Sequence, residues 1–178
     1  MTARVFWNSF WLSALAIGAL AFTAKPALAA AATAFSAVGS GVSSGATNGC
    51  SECESGHTCI CVPITGTGTG TAAVIGAVTF STVFVIDSTN SQAGVCDDSY
   101  GTVTLTQKTN AKNKLVIDYH GFLCGLSGNT TVDGTYLIDG ADSTGKFANY
   151  GGSGNLAGSE NLSNGAILGN LNGTIQKP

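Results

Sequence analysis

Six cysteines, two histidines and ten carboxylates are the groups through which this 178-residue sequence could do chemistry. Four of the cysteines crowd into Cys50-x2-Cys53-x5-Cys59-x-Cys61, with His57 inside the run, while Cys96 and Cys124 stand apart. Cysteines and a histidine at this spacing have the ligand types for tetrahedral zinc. Such sites close with a second tight pair, Cys-x2-Cys or His-x3-His, and none follows. A redox role for Cys50-x2-Cys53 would want a thioredoxin-like βαβ setting, which the surrounding pattern lacks. An even cysteine count behind an export signal, described below, suits three disulfides instead.

The remaining candidates are pairs. Asp118 and His120 share one face of an alternating segment and have the types for general acid–base work. No nucleophile shares that face, so the pair reads as solvated exterior. Asp133 and Asp139 could be written as a glycoside-cleaving carboxylate pair, but six residues of strand set them roughly 20 Å apart. Asp87, Asp97 and Asp98 lack the spaced acidic loop of a calcium site. Asn129-Thr-Thr, Asn161-Leu-Ser and Asn172-Gly-Thr are sequons, meaningful where the source glycosylates. No catalytic residue, no metal ligand and no cofactor is expected.

The chain that must position these groups begins with an export signal. Arg4 supplies a positive start, Phe10–Phe22 is an apolar run, and Ala27-Leu28-Ala29 has the small-x-small form of a cleavage site. The run is shorter than the ~20 apolar residues a membrane span needs. Residues 1–29 are therefore expected to be a signal peptide cut after Ala29, leaving a secreted protein without a membrane anchor. That cut removes both Trp, the single Met and the single Arg, and leaves five Lys against ten Asp plus Glu, a net charge of −5. With no arginine, bidentate phosphate clamping is lost. Without clustered cations, counterion-release binding to nucleic acid is excluded.

Beyond the cut, Ala30–Gly49 is Ala, Ser, Gly and Thr with Phe35 alone to pack, and reads as a flexible leader. Residues 50–178 read as one domain. Thr58–Thr65 alternates as a first strand tethered by the cysteines, and the Gly-Thr run Thr65–Thr71 is a turn or an exposed glycine strand. Ala72–Asp87 is rich in β-branched and aromatic residues and is split near Gly76. Tyr100–Lys108 and Lys114–Cys124 form a hairpin about Thr109–Asn113. The second of these strands sets Leu115, Ile117, Tyr119 and Leu123 on one face. In Thr131–Asp139, Val132, Tyr136 and Ile138 share a face with Gly134. Gly140–Gly145 is a turn cluster, Phe147 plugs the corner it makes, and Gly151, Gly152 and Gly154 sit where a side chain would obstruct. Asn164–Ile175 supplies a last strand. The class is all-β, with about seven or eight strands and no helical periodicity after Ala30.

The corner carries a resemblance. Gly134-Thr-Tyr136-Leu-Ile-Asp-Gly140, then Gly145-Lys-Phe147-Ala-Asn149, then Gly152-Ser-Gly154-Asn-Leu156 resembles a run shared by secreted bacterial proteins of the allene oxide cyclase/dirigent-like (calycin-like) barrel superfamily. Tyr100-Gly-Thr-Val-Thr-Leu-Thr106 with Leu115-Val-Ile-Asp-Tyr119 is similar to the hairpin that precedes it there. Lys146 stands where arginine is usual, and Ala141-Asp142-Ser143 resembles an insertion. The resemblance implies a single antiparallel β-barrel with the cysteine cluster at its N-terminus. Fold alone does not choose a function. A surface-interaction role is compatible with the Gly/Thr/Ser/Asn-rich exterior. Beside it two readings stand, the first from the inward apolar face without convergent charge and the second from the resemblance. One is a non-enzymatic binding or structural barrel holding a small apolar ligand in its mouth. The other is a cyclase or dirigent-like enzyme acting on an apolar small molecule.

For the cysteines, a hairpin turn centred at 111–112 puts position 99 opposite 124, so Cys96 reaches Cys124 by folding back from a loop. Cys50, Cys53, Cys59 and Cys61 pair among themselves in one of three ways. Alkylation of the unreduced protein is expected to add no mass, and mass spectrometry showing two or more labelled cysteines would contradict this.

Overall fold

The computed structural model describes residues 30–178 apart from Ala72, residues 90–95 and Ser127. The expected signal peptide, residues 1–29, lies outside the described residues. Period-two alternation carries through into strands: β1 (Thr33–Ser43), β2 (Thr47–Asn48), β3 (Cys59–Gly70), β4 (Ala77–Asp87), β5 (Asp97–Gln107), β6 (Lys114–Leu126), β7 (Asn129–Thr144), β8 (Gly151–Asn161) and β9 (Ala166–Gln176). Each long strand pairs antiparallel with its sequence neighbour from β3 through to β9. β1 then lies between β9 and β3, from Thr33 opposite Ile175 to Ser43 opposite Ile64, and closes the sheet on itself. The result is an all-β, closed, eight-stranded antiparallel barrel, with two-residue β2 as a flap on β3.

The expected flexible leader over 30–49 is corrected here, because most of it is strand. Its inward positions are Phe35, Ala37, Gly39 and Gly41, and its outward ones are Ser36, Val38, Ser40 and Val42. Glycine and serine differ little in hydropathy, so the alternation is real but silent. Phe35 is only 1% exposed. The expected turn at Gly140–Gly145 also moves. β7 runs on to Thr144 through a bulge opposite Lys114–Val116. There the Ala141 and Asp142 N–H groups donate to Asp139 Oδ1 at 2.8 and 3.1 Å, and Val116 N–H donates to Ser143 Oγ at 2.9 Å. The side-chain bonds that favour turns here satisfy a bulge. The chain turns afterwards, through a 3-10 turn at Gly145–Phe147 and Asn149 at φ 64°.

Ile75, from the β3–β4 connection, and Phe147, from the β7–β8 corner, close the same end of the barrel. Below them Phe35, Val78, Leu105, Leu115, Ile117, Tyr136, Ile138, Leu171 and Ile175 form one buried cluster. Tyr136 lies where glycine makes room for it: a Cβ on Gly173 would come within 2.7 Å of the Tyr136 hydroxyl. Phe147 is 1% exposed and meets Tyr150 edge to face at 5.7 Å. Phe147→Ala should cost about 3–5 kcal/mol, as truncating a buried Phe usually does. Urea unfolding measures it, and a loss under roughly 0.5 kcal/mol would place the ring at the surface.

Candidate functional site

The other end of the barrel is not filled. The inward positions of β1, β3, β8 and β9 there include Gly39, Gly68, Gly158 and Gly169, which send no side chain into the interior, and a Cβ on Gly169 would meet nothing within 4 Å. The remaining cavity is about 130 Å³. Its apolar wall includes Phe80, Phe84, Val103, Leu123, Val132 and Leu156. Phe80 takes up part of the room left by glycine, since a Cβ on Gly66 would come within 2.6 Å of its ring.

Two buried hydroxyls belong to side chains of this wall. Tyr119, on β6, is 4% exposed and stacks on Phe84 of β4 at 5.7 Å and 20°. It reaches β4 by lying across Gly101 of β5, where a Cβ would be 2.9 Å from its hydroxyl. Thr82 of β4 lines the same cavity, and its hydroxyl lies beside that of Tyr119. Among the described residues, the one hydrogen-bonding group within reach of either oxygen is the other hydroxyl. Burial pushes the Tyr119 phenol far above its usual range, so it stays protonated. At the rim, Ser43 Oγ donates to Glu160 Oε1 at 2.9 Å. The five lysines of the described chain, Lys108, Lys112, Lys114, Lys146 and Lys177, are all exposed and sit around the plugged end.

Outside the barrel, near the mouth, the cysteine run makes a second small core. Disulfides Cys50–Cys61 and Cys53–Cys59 are nested, with Cα separations of 6.1 and 5.9 Å. They fold loop 49–58 over the outer face of β3–β5, burying Cys59, Cys61 and Val85 against Val83 and Tyr100. The thiolates a zinc ion would need are therefore used. The Tyr100 hydroxyl accepts the Glu54 N–H at 3.2 Å. Cys96–Cys124 forms the third bridge, with Cα atoms 4.3 Å apart. Its register differs from expectation. Asp97 faces Leu123, so 96 and 124 lie directly across from one another and no folding back is needed. Gln107 N–H donates to Asn113 O at 3.1 Å and Asn113 Nδ2 to Gln107 Oε1 at 2.7 Å, which centres the turn earlier than its composition suggested.

The corner residues sit at the opposite end from the cavity or along the packed wall. Gly134 lies opposite Gly121, Gly154 opposite Gly173 and Gly152 opposite Ile175, and Gly145 adopts φ 63°. None lines the cavity. Asp118 accepts a hydrogen bond from Thr102 Oγ1 at 2.8 Å on the outer wall, and His120 stacks edge to face on Phe122. Tyr119 was legible as inward, but Thr82 and Glu160 carried no motif. The one available signal was parity: Thr82 is the polar interruption of Val78, Phe80 and Phe84. No family model, no curated protein and no solved structure matches the chain. Among the described residues, no helix is long and apolar enough to cross a membrane.

The loop is also held electrostatically, by His57 Nδ1 against the Asp87 carboxylate. The Asp87 hydrogen bond, and then its charge, raise the His57 pKa. Hydrogen bonds from Thr89 and then His57 lower Asp87 to about 2. A raised histidine stabilises below its unfolded pKa of about 6.5, and that stability is lost as pH rises through the folded value. A lowered aspartate stabilises above its unfolded pKa of about 3.9 and loses this as pH falls through about 2. The difference in melting midpoint between the protein and His57→Gln should thus be largest between about pH 4 and 6.5. It should shrink above and below that window. A difference independent of pH from 2 to 9 would show that the pair does not hold the loop.

Proposed function

We propose that the chain is a secreted, non-enzymatic barrel that binds a small apolar molecule in the open half of its interior. The observation that carries this is the asymmetry of packing. One half is filled by a single buried apolar cluster, while the other keeps a cavity of about 130 Å³ walled by aromatic and aliphatic groups. Small barrels either fill with side chains or keep room for one ligand, and this one does both. Three disulfides fit an oxidising compartment. With the signal-like residues 1–29, they support export. The eight-stranded closed barrel is also the architecture that the allene oxide cyclase/dirigent-like resemblance implies, and we propose membership of that superfamily on those grounds. The alternative, an enzyme of the cyclase or dirigent kind, has only that resemblance behind it.

Toluene titrated into the protein should shift the NMR signals of Phe80, Phe84 and Leu156 saturably, with a Kd on the order of 1 mM or tighter. Val132→Phe, which fills the cavity from β7, should abolish the shifts while leaving the circular dichroism spectrum unchanged. Non-saturable or scattered shifts would remove the cavity from consideration as a binding site.

A further inference from the structure

We infer that copies of this protein associate head to tail, the lysine-bearing plugged end of one seating on the acidic open end of the next. The inference stands apart from the cavity reading, since filling the cavity would leave both ends as they are.

The first observation is how the charges divide. Lys108, Lys112 and Lys114 border the β5–β6 turn, Lys146 lies in the β7–β8 corner and Lys177 follows β9. Hydrogen bonds draw these segments together. Thr144 Oγ1 donates to Lys112 O at 2.8 Å, Lys146 N–H to Asn113 Oδ1 at 3.1 Å, and Lys108 N–H to Ala77 O at 2.9 Å. Lysines scattered along the sequence are thus gathered at one end of the barrel. The carboxylates lie mostly at the other. Asp97 and Asp98 open β5, Asp133 is near the start of β7, Glu160 is near the end of β8, and Glu52 and Glu54 belong to the cysteine loop. Asp87, at the end of β4, is held by His57. Of the carboxylates, Asp139 and Asp142 alone accompany the lysines.

The second observation is that these charges are not spent within the chain. Soluble surfaces ordinarily intersperse both signs. Here, among the described residues, His57 makes the ion pairs and no lysine makes one. The third is apolar: Val42, Leu162 and Leu168 stand exposed beside the mouth. The aliphatic stems of lysines on an incoming copy would cover them. A net charge of −5 opposes contact in other orientations, so the meeting of unlike ends is the arrangement in which the charges attract. Such contact is heterologous and, unless it closes into a ring, continues from copy to copy.

The test is sedimentation velocity at pH 7 over a series of protein concentrations, in about 10 mM and about 500 mM salt, where charges act over roughly 30 Å and less than about 10 Å. Association should appear at the lower salt and weaken by more than about tenfold at the higher. Lys112→Glu/Lys146→Glu and Asp98→Lys/Asp133→Lys change exposed positions. Each double variant should sediment as a monomer at both salts, with an unchanged circular dichroism spectrum. Mixed in equal amounts at low salt, the two should form a dimer and nothing larger, because one native lysine end and one native acidic end remain between them. An unsubstituted protein that stays monomeric at low salt would overturn the inference. Binding of that monomer to phosphatidylglycerol vesicles, lost in Lys112→Glu/Lys146→Glu, would give the lysine end to an anionic surface instead. Association that either variant retains, or that mixing does not restore, would show that the two ends do not meet.

Discussion

An aromatic ring inside a small barrel can lie flat across a neighbouring strand only where that strand has no side chain. Strands sit about 4.8 Å apart, so a ring extending from one reaches over the next. Phe80 lies over Gly39, Gly41 and Gly66, Tyr119 over Gly101, and Tyr136 over Gly154 and Gly173. Every one of these rings depends on glycines contributed by other strands, which makes the interior a matched set. Where rings and aliphatic side chains suffice to cover the glycines, the barrel is solid. Where they do not, around Gly158 and Gly169, it is hollow. The filled half and the open half are two outcomes of one rule.

That division also explains where the covalent links are. The buried apolar cluster lies toward the end closed by Ile75 and Phe147. All three disulfides lie toward the opposite end, at the start of β3 and where β5 begins and β6 finishes. A cavity forgoes the dispersion and transfer energy that side chains would have supplied. Cross-links restrain the unfolded chain instead, without filling the interior. The cysteine loop adds a little core of its own, but on the outside, over Val85 and Tyr100. The mouth is thus held from without, where side chains do not fill its interior.

How far the sequence revealed this follows from which residues carry hydropathy. Leu115, Ile117 and Tyr119 alternate with Asp118 and His120, so β6 and its inward face were legible, and with them the all-β class. β1 was not, because Gly39 and Gly41 mark the interior by having no side chain, and nothing in Ala-Ser-Gly composition distinguishes that from a leader. Asp139, Ala141 and Asp142 look like a turn because their bonding is that of a turn; only the partner strand shows that it is a bulge. The pairing of Cys96 with Cys124 was readable from the hairpin, but its register depended on Gln107 meeting Asn113, which is a matter of side-chain bonding. Tyr119 and Thr82 come from β6 and β4 and meet across β5. No local pattern announces a pair made by a third strand.

The position of β1 sets an order of events in time. Its contacts with β3 join residues 21 to 33 apart, from Ser43 with Ile64 to Ala37 with Gly70, while its contacts with β9 join Thr33 to Ile175 and Val42 to Ala166, nearly the two ends of the described chain. Contacts that distant are entropically slow to form, and they weigh heavily on folding rate. The ladder from β3 to β9 can grow strand by strand from neighbouring hairpins, but it remains an open sheet with two unpaired edges. Closure requires β9, the last of these strands in chain order. Until that strand arrives, the polypeptide has no barrel, no interior and no cavity, however much of its hydrogen bonding is already in place.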